Sequence, residues 1–167
     1  VLSTDENSDL GDGKYIVVEA DESDGSFIHL QPDVAVLTNI DDDHLTHFNN
    51  IFENLLDSFI LFAENVPFYG YMVINGDDKN IKKISKRISR PKITFGVTNN
   101  CDYQIVSISP KEGKQEFKII DKKKKKTYKF HINLPGKHNI YNAAASITVS
   151  LEAVSYTHLR AHETLPY

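Results

Sequence analysis

Residues 33–74 read DVAVLTNIDDDHLTHFNNIFENLLDSFILFAENVPFYGYMVI, and this stretch decides the fold. It opens on a short β-branched run, residues 33–38, and closes on another, residues 71–74. Both runs are almost continuously apolar rather than alternating. That is the pattern of strands covered on both faces, as in a parallel sheet between helices. Between them, Ile51, Phe52, Leu55, Leu56, Phe59, Ile60 and Phe62 recur at helical spacing, which predicts an amphipathic helix over residues 50–66. Pro67 stops it. A strand, a helix and a second buried strand form the repeating unit of an α/β sheet.

The same unit extends in both directions. Upstream, residues 14–19 (KYIVVE) predict another strand. Downstream, Asn75-Gly76-Asp77-Asp78 is a turn that also serves as a cap for a surface helix over residues 80–88. That helix carries Ile81, Ile84 and Ile88 on one side and basic residues on the other; Pro91 ends it, and residues 92–95 give a further strand closed by Gly96. The period then changes. Residues 103–109, 116–120 and 128–134 are strand-like with no helix between them, which predicts a small antiparallel sheet beside the parallel one. A small-residue-rich helix over residues 138–153 follows Leu134-Pro135-Gly136. The expected fold class is therefore α/β: a mostly parallel sheet flanked by helices, with a small antiparallel sheet.

The 167 residues fit one domain with its own core. A hydrophobic fraction of 40% and a charged fraction of 25% are those of a soluble globular protein. The net charge of −4 argues against a nucleic-acid partner. The five lysines at 122–126 lack basic or aromatic neighbours and read as a solvated hairpin tip. No apolar run approaches the about 20 residues of a membrane span. The one cysteine, Cys101, excludes a disulfide within the chain and favours a cytoplasmic setting. Val1-Leu2-Ser3 opens the chain without methionine, as an internal piece of a longer protein would. Residues 154–164 (VSYTHLRAHET) resemble the translation of a sequencing adapter. The expected division is thus a domain over 1–153 and a non-native tail over 154–167, so His158 and His162 are not read as metal ligands.

Three constellations could carry chemistry. Glu19, Asp21, Glu22 and Asp24 place four carboxylates in six residues directly after a predicted strand. Like charges this close favour a cation nearby, and the carboxyl ends of strands are where ligands bind in open α/β sheets. A solvent-exposed acidic turn is the other reading. Thr38-Asn39-Ile40-Asp41-Asp42-Asp43-His44, with His47, follows the next strand and faces the same sheet edge. It reads either as a site or as a surface loop. The third, LPGKHNIYNAAA at 134–145, sets Asn139 and Asn142 three apart on one helical face. Amide side chains both donate and accept, as base recognition requires, and a helix start favours anions. A packed helix cap is the alternative. The chain holds neither G-x-x-x-x-G-K-[ST] nor G-x-G-x-x-G.

The strings EADESDGSF (19–27), TNIDDDHL (38–45), PFYGYMVINGDD (67–78) and LPGKHNIYNAAAS (134–146) occur in this order. On them the chain resembles the Mur ligase family, over nearly all of residues 15–153. The resemblance implies the P-loop-type central domain of a three-domain enzyme, here without its P-loop, which would lie upstream of Val1. It implies ATP and Mg²⁺ as cofactors, with Glu19 and His44 as catalytic metal ligands, and with Asn139 and Asn142, beside His138, at the nucleotide. A histidine nitrogen is an unusual Mg²⁺ ligand, so the role of His44 comes from the family alone. The EADESDGSF string points to the members that join L-alanine to UDP-N-acetylmuramate through an acyl phosphate in peptidoglycan synthesis. Those two substrates would bind the missing domains, so no turnover is expected of this chain alone. The alternatives are a non-catalytic Mg-nucleotide-binding module, the related ligase that recycles murein tripeptide, and a folate-polyglutamate-type ligase, which the string does not support. Thr46 and His47 depart from the family pattern, which usually has Asp and Thr there.

Overall fold

A computed structural model describes residues 15–42, 45–111 and 113–163. Asp43 and His44 lie outside the described residues. Six strands form one sheet in sequential order: β1 (Val34–Leu37), β2 (Tyr71–Asn75), β3 (Lys92–Gly96), β4 (Tyr103–Lys111), β5 (Lys114–Asp121) and β6 (Lys126–Ile132). The first three pairings, β1 with β2, β2 with β3 and β3 with β4, are parallel. The last two are antiparallel hairpins. The antiparallel part is hydrogen-bonded onto the parallel part where Phe95 and Gly96 pair with Tyr103 and Gln104, so the sheet is continuous. The change of period at residue 103 marks this switch from helical crossovers to direct hairpins.

Helices α1 (Phe52–Glu64) and α2 (Lys79–Ser85) lie on one face, and α3 (Lys137–Glu163) covers the other. Alternation along β2 shows how the faces divide: Met72 and Ile74 join the core under α1 and α2, while Val73 joins the core under α3. In the first core, Phe27 from a 3-10 turn at Ser26–His29 is wedged against Phe59 and Phe62, with ring centroids 5.0 and 5.5 Å away. Burying a ring of that size stabilises the fold by about 1.5–3 kcal/mol. In the second, the small side chains Ala144 and Ala145 bring α3 close to Phe95, Phe117 and Ile119.

The helix predicted over 80–88 ends at Ser85, but Ile88 is still buried in the chain that follows. The helix predicted to start at His138 starts one residue earlier and runs on to Glu163. The strand predicted over residues 14–19 is a correction. Residues 15–20 carry no strand, and Ile16 and Val17 are 86% and 96% exposed. β-Branched residues favour extended backbone, but a strand is held by the ladder to its neighbour. Among the described residues, no strand pairs with this segment.

Candidate functional site

The carboxyl ends of β1 and β2 and the first turns of α3 enclose an open cavity of about 430 Å³. Thr38, Asn39 and Asp41 enter it from the loop after β1; Asn75 from the last position of β2, with Asp77 and Asp78 from the loop that follows; and Lys137, His138, Tyr141 and Asn142 from α3. Its place follows from the topology. Parallel strands all end at one edge, and the loops leaving them gather there.

The loops are tied to one another by side-chain amides. Asn75 donates from Nδ2 to the Thr38 carbonyl at 2.8 Å, and its Oδ1 accepts from the Asp77 N–H at 2.9 Å. Asn80 reaches back from α2 and donates to the Ile40 carbonyl at 2.7 Å. Within the loop, Asn39 donates to Asp41 at 2.8 Å. Asp78 caps α2, its Oδ1 accepting from the N–H groups of Asn80 and Ile81 at 2.9 and 2.8 Å.

Asp77 is the best-connected carboxylate here. Its Oδ2 accepts from the Val97 N–H at 2.6 Å and the Tyr141 hydroxyl at 2.8 Å, and its Oδ1 from the Thr98 N–H at 3.1 Å. Burial pushes this carboxyl up, but the hydrogen bonds from Val97, Tyr141 and Thr98 outweigh it and hold Asp77 below its ordinary value. The Tyr141 hydroxyl is raised by burial and by its bond to Asp77, so it stays protonated and donates. Lys137 Nζ lies 5.6 Å from the centroid of the Tyr141 ring.

The residues expected to act are brought together only in part. His138 and Asn142 line the cavity. Asn139 does not; its Nδ2 donates to the Pro135 carbonyl at 2.6 Å and closes the turn that opens α3. Glu19 is exposed in the segment without regular structure and is not among the cavity-lining residues. His44 is outside the described residues. The acidic motif folds into two local turns, Asp21 accepting from the Ser23 N–H and Asp24 from the Ser26 N–H, each at 2.8 Å. It meets the second motif through Gly25, whose α-carbon faces the His47 ring.

Among the described residues, no three His, Cys, Asp or Glu side chains converge as a metal cluster. Both oxygens of Asp77 and Oδ1 of Asp78 accept from protein donors. That donor set does not build an all-protein cage. It leaves a hard cation to be held mainly by phosphate oxygens and water, with a carboxylate other than Asp77 from the protein. Sequence reading treated 75–78 as a turn and missed Asn75, Asp77, Lys137 and Tyr141 as site residues. The available signal was that Asn-Gly-Asp-Asp leaves a buried strand at the same edge as the Asp-rich loop.

The fold and cavity thus define an α/β domain with an open cavity at the carboxyl edge of a mostly parallel sheet. Comparison with known proteins gives the family: residues 3–150 match the Mur ligase middle domain, and the chain belongs to the Mur ligase family. It is 43% identical over 146 residues to a UDP-N-acetylmuramate–L-alanine ligase of Vesicomyosocius okutanii, covering 87% of this chain and 31% of that protein. A ligase of the same name from Chromobacterium violaceum is 39% identical over 147 residues, covering 87% and 32%. The chain therefore spans about a third of the length of these curated relatives. Among solved structures, the UDP-N-acetylmuramate-alanine ligase of Thermotoga maritima superposes with a TM-score of 0.66 at 22% identity, covering 82% of this chain and 29% of that one. The UDP-N-acetylmuramate:L-alanyl-gamma-D-glutamyl-meso-diaminopimelate ligase of Neisseria meningitides gives 0.65 at 26%, covering 79% and 41%. No helix among the described residues is long and apolar enough to cross a membrane.

Proposed function

We propose that this chain is the nucleotide-binding central part of a ligase that joins L-alanine to UDP-N-acetylmuramate with ATP and Mg²⁺. The observation that carries the reading is the cavity. It lies at the carboxyl edge of the sheet, holds amide, cationic and carboxylate groups together, and has the size of a nucleotide site. The choice of substrates rests on the 43% identity to ligases of that name.

In the proposed reaction an oxygen of the muramoyl carboxylate attacks the γ-phosphorus of ATP, and ADP leaves. The alanine amine then attacks the carbonyl of the acyl phosphate, phosphate leaves, and the ammonium loses its proton. Mg²⁺ supplies charge neutralisation at the phosphates when bound. By the family resemblance Glu19 and His44 would hold it, and His138, Asn139 and Asn142 would contact the nucleotide; of the described ones, only His138 and Asn142 line the cavity. Lys137, at the mouth of the cavity, adds positive charge where the phosphates enter. The P-loop and the domains for the two other substrates belong to the remainder of a longer chain. Residues 1–153 form the partial domain, and 154–167 form a tail foreign to it; the family match ending at residue 150 supports this division. The setting is cytoplasmic, with no nucleic-acid or membrane partner.

The test is ADP release by the full-length protein. We expect it to require both UDP-N-acetylmuramate and L-alanine, and the 167-residue chain alone to release none. A second reading, the murein tripeptide-recycling ligase, draws support from the structural match to the Neisseria enzyme. Release of ADP with the tripeptide L-alanyl-γ-D-glutamyl-meso-diaminopimelate but not with L-alanine would select it. Nucleotide binding by the full-length protein with no ADP release under either condition would leave a non-catalytic Mg-nucleotide-binding module.

A further inference from the structure

Two tyrosines tether α3 to the sheet, each by a hydroxyl donating to a carboxylate. Tyr103 on β4 donates to Glu152, about three turns along the helix from the cavity, at 2.5 Å. Tyr141, on the helix itself, donates to Asp77 at 2.8 Å beside the cavity. The second tether differs in what else it joins. Asp77 also accepts from Val97 and Thr98 in the loop after β3, and its N–H donates to Asn75, which in turn holds Thr38. An unbroken line of hydrogen bonds therefore runs from the loop after β1, through the loops after β2 and β3, to α3. The approach is tight: a Cβ at Gly96 would lie 2.5 Å from Asp77 Oδ2. The Tyr141 ring is itself held edge-on by Phe95 at 6.5 Å and carries Lys137 over its face.

We propose that Asp77 and Tyr141 form a positioning pair that sets the affinity for the adenine nucleotide by fixing the first turns of α3 against these loops. The inference rests on the nucleotide-binding reading above. Both oxygens of Asp77 already accept from protein donors, so its role is to hold other groups and not to meet the ligand. Lys137, His138 and Asn142 lie on the same two turns as Tyr141. Releasing the hydroxyl frees that end of the helix to shift relative to Thr38 and Asp78 across the cavity. The acid loops assigned to the chemistry keep their own anchors, Asn80 on Ile40 among them. Affinity should then suffer and the chemical step should not.

The experiment compares Tyr141→Phe, Asp77→Asn and Tyr103→Phe with the wild type in the full-length protein, measuring KM for ATP and kcat. Loss of one charge-assisted hydrogen bond should raise KM for ATP about tenfold in Tyr141→Phe, with kcat within about twofold. Asp77→Asn keeps one acceptor oxygen and should fall between wild type and Tyr141→Phe. Tyr103→Phe removes an equivalent tether away from the cavity and should leave KM unchanged. An unchanged KM in Tyr141→Phe would overturn the inference, and so would an equal rise in Tyr103→Phe, which would reduce both tyrosines to helix anchors. A wild type with no ATP turnover or binding would remove the nucleotide reading, and the inference with it.

Discussion

Gly25 holds a backbone that few other residues tolerate. Its φ is +71°, and a Cβ there would lie 2.4 Å from His47 Nε2. Gly25→Ala should destabilise the fold by about 1–2 kcal/mol from the left-handed backbone alone, and further from the clash. Urea denaturation checks this, and adding His47→Ala should recover the steric part but not the backbone part. The sequence marked His47 as part of the second constellation and as a departure from the family pattern. The fold explains what it touches: its ring packs on the glycine of the acidic motif. At Asp77 the argument turns on pH. Its carboxyl is held below the ordinary 3.8 in the folded chain, so its contribution to stability is complete above 3.8 and is lost as pH falls through the lowered value. The stability gap between wild type and Asp77→Asn should therefore be widest near neutral pH and shrink below 3.8, as read from urea midpoints across that range.

Among the elements, α2 is the one most dependent on its cap. It has seven residues, too few to be stable by propensity, and Asp78 satisfies two of its free N–H groups. Asp78→Ala should cost about 1 kcal/mol, measurable as a lower urea midpoint, whereas Asp78→Ser should keep most of it. This cap was legible in the sequence, because Asn-Gly-Asp-Asp before a helical pattern has a local meaning. The helix end was less so. Ile88 matches the helical period yet sits beyond Ser85, buried by the chain's path and not by a further turn. The segment at 14–19 shows the opposite limit: its residues are strand formers, and what they lack among the described residues is a partner. Propensity is a property of the residue, whereas a ladder requires two strands.

Over the whole molecule, that segment leaves Tyr15, Ile16, Val17 and Val18 exposed in a row, and Val36 on β1 is also 40% exposed. Exposed apolar runs promote association. The 167-residue chain should sediment with a concentration-dependent coefficient, and Val17→Lys should shift it towards monomer. A single monomeric species at all concentrations would count against this. The amino-acid sequence by itself determined the α/β class, the edge of the sheet where ligands gather and the family, because hydrophobic period, turn residues and short strings are local signals. It named His138, Asn139 and Asn142 through the family strings, and of these His138 and Asn142 line the cavity. Only the tertiary structure decided that Asp77 would receive Tyr141 from 64 residues away, that Asn75 would hold the loop after β1, and that Asn139 would turn back onto Pro135. The first depends on how α3 packs across β2 and the second on how β1 lies beside β2, and long-range packing of that kind leaves no period or spacing in the chain; the third is local, but an Asn near a helix start is equally able to face a ligand.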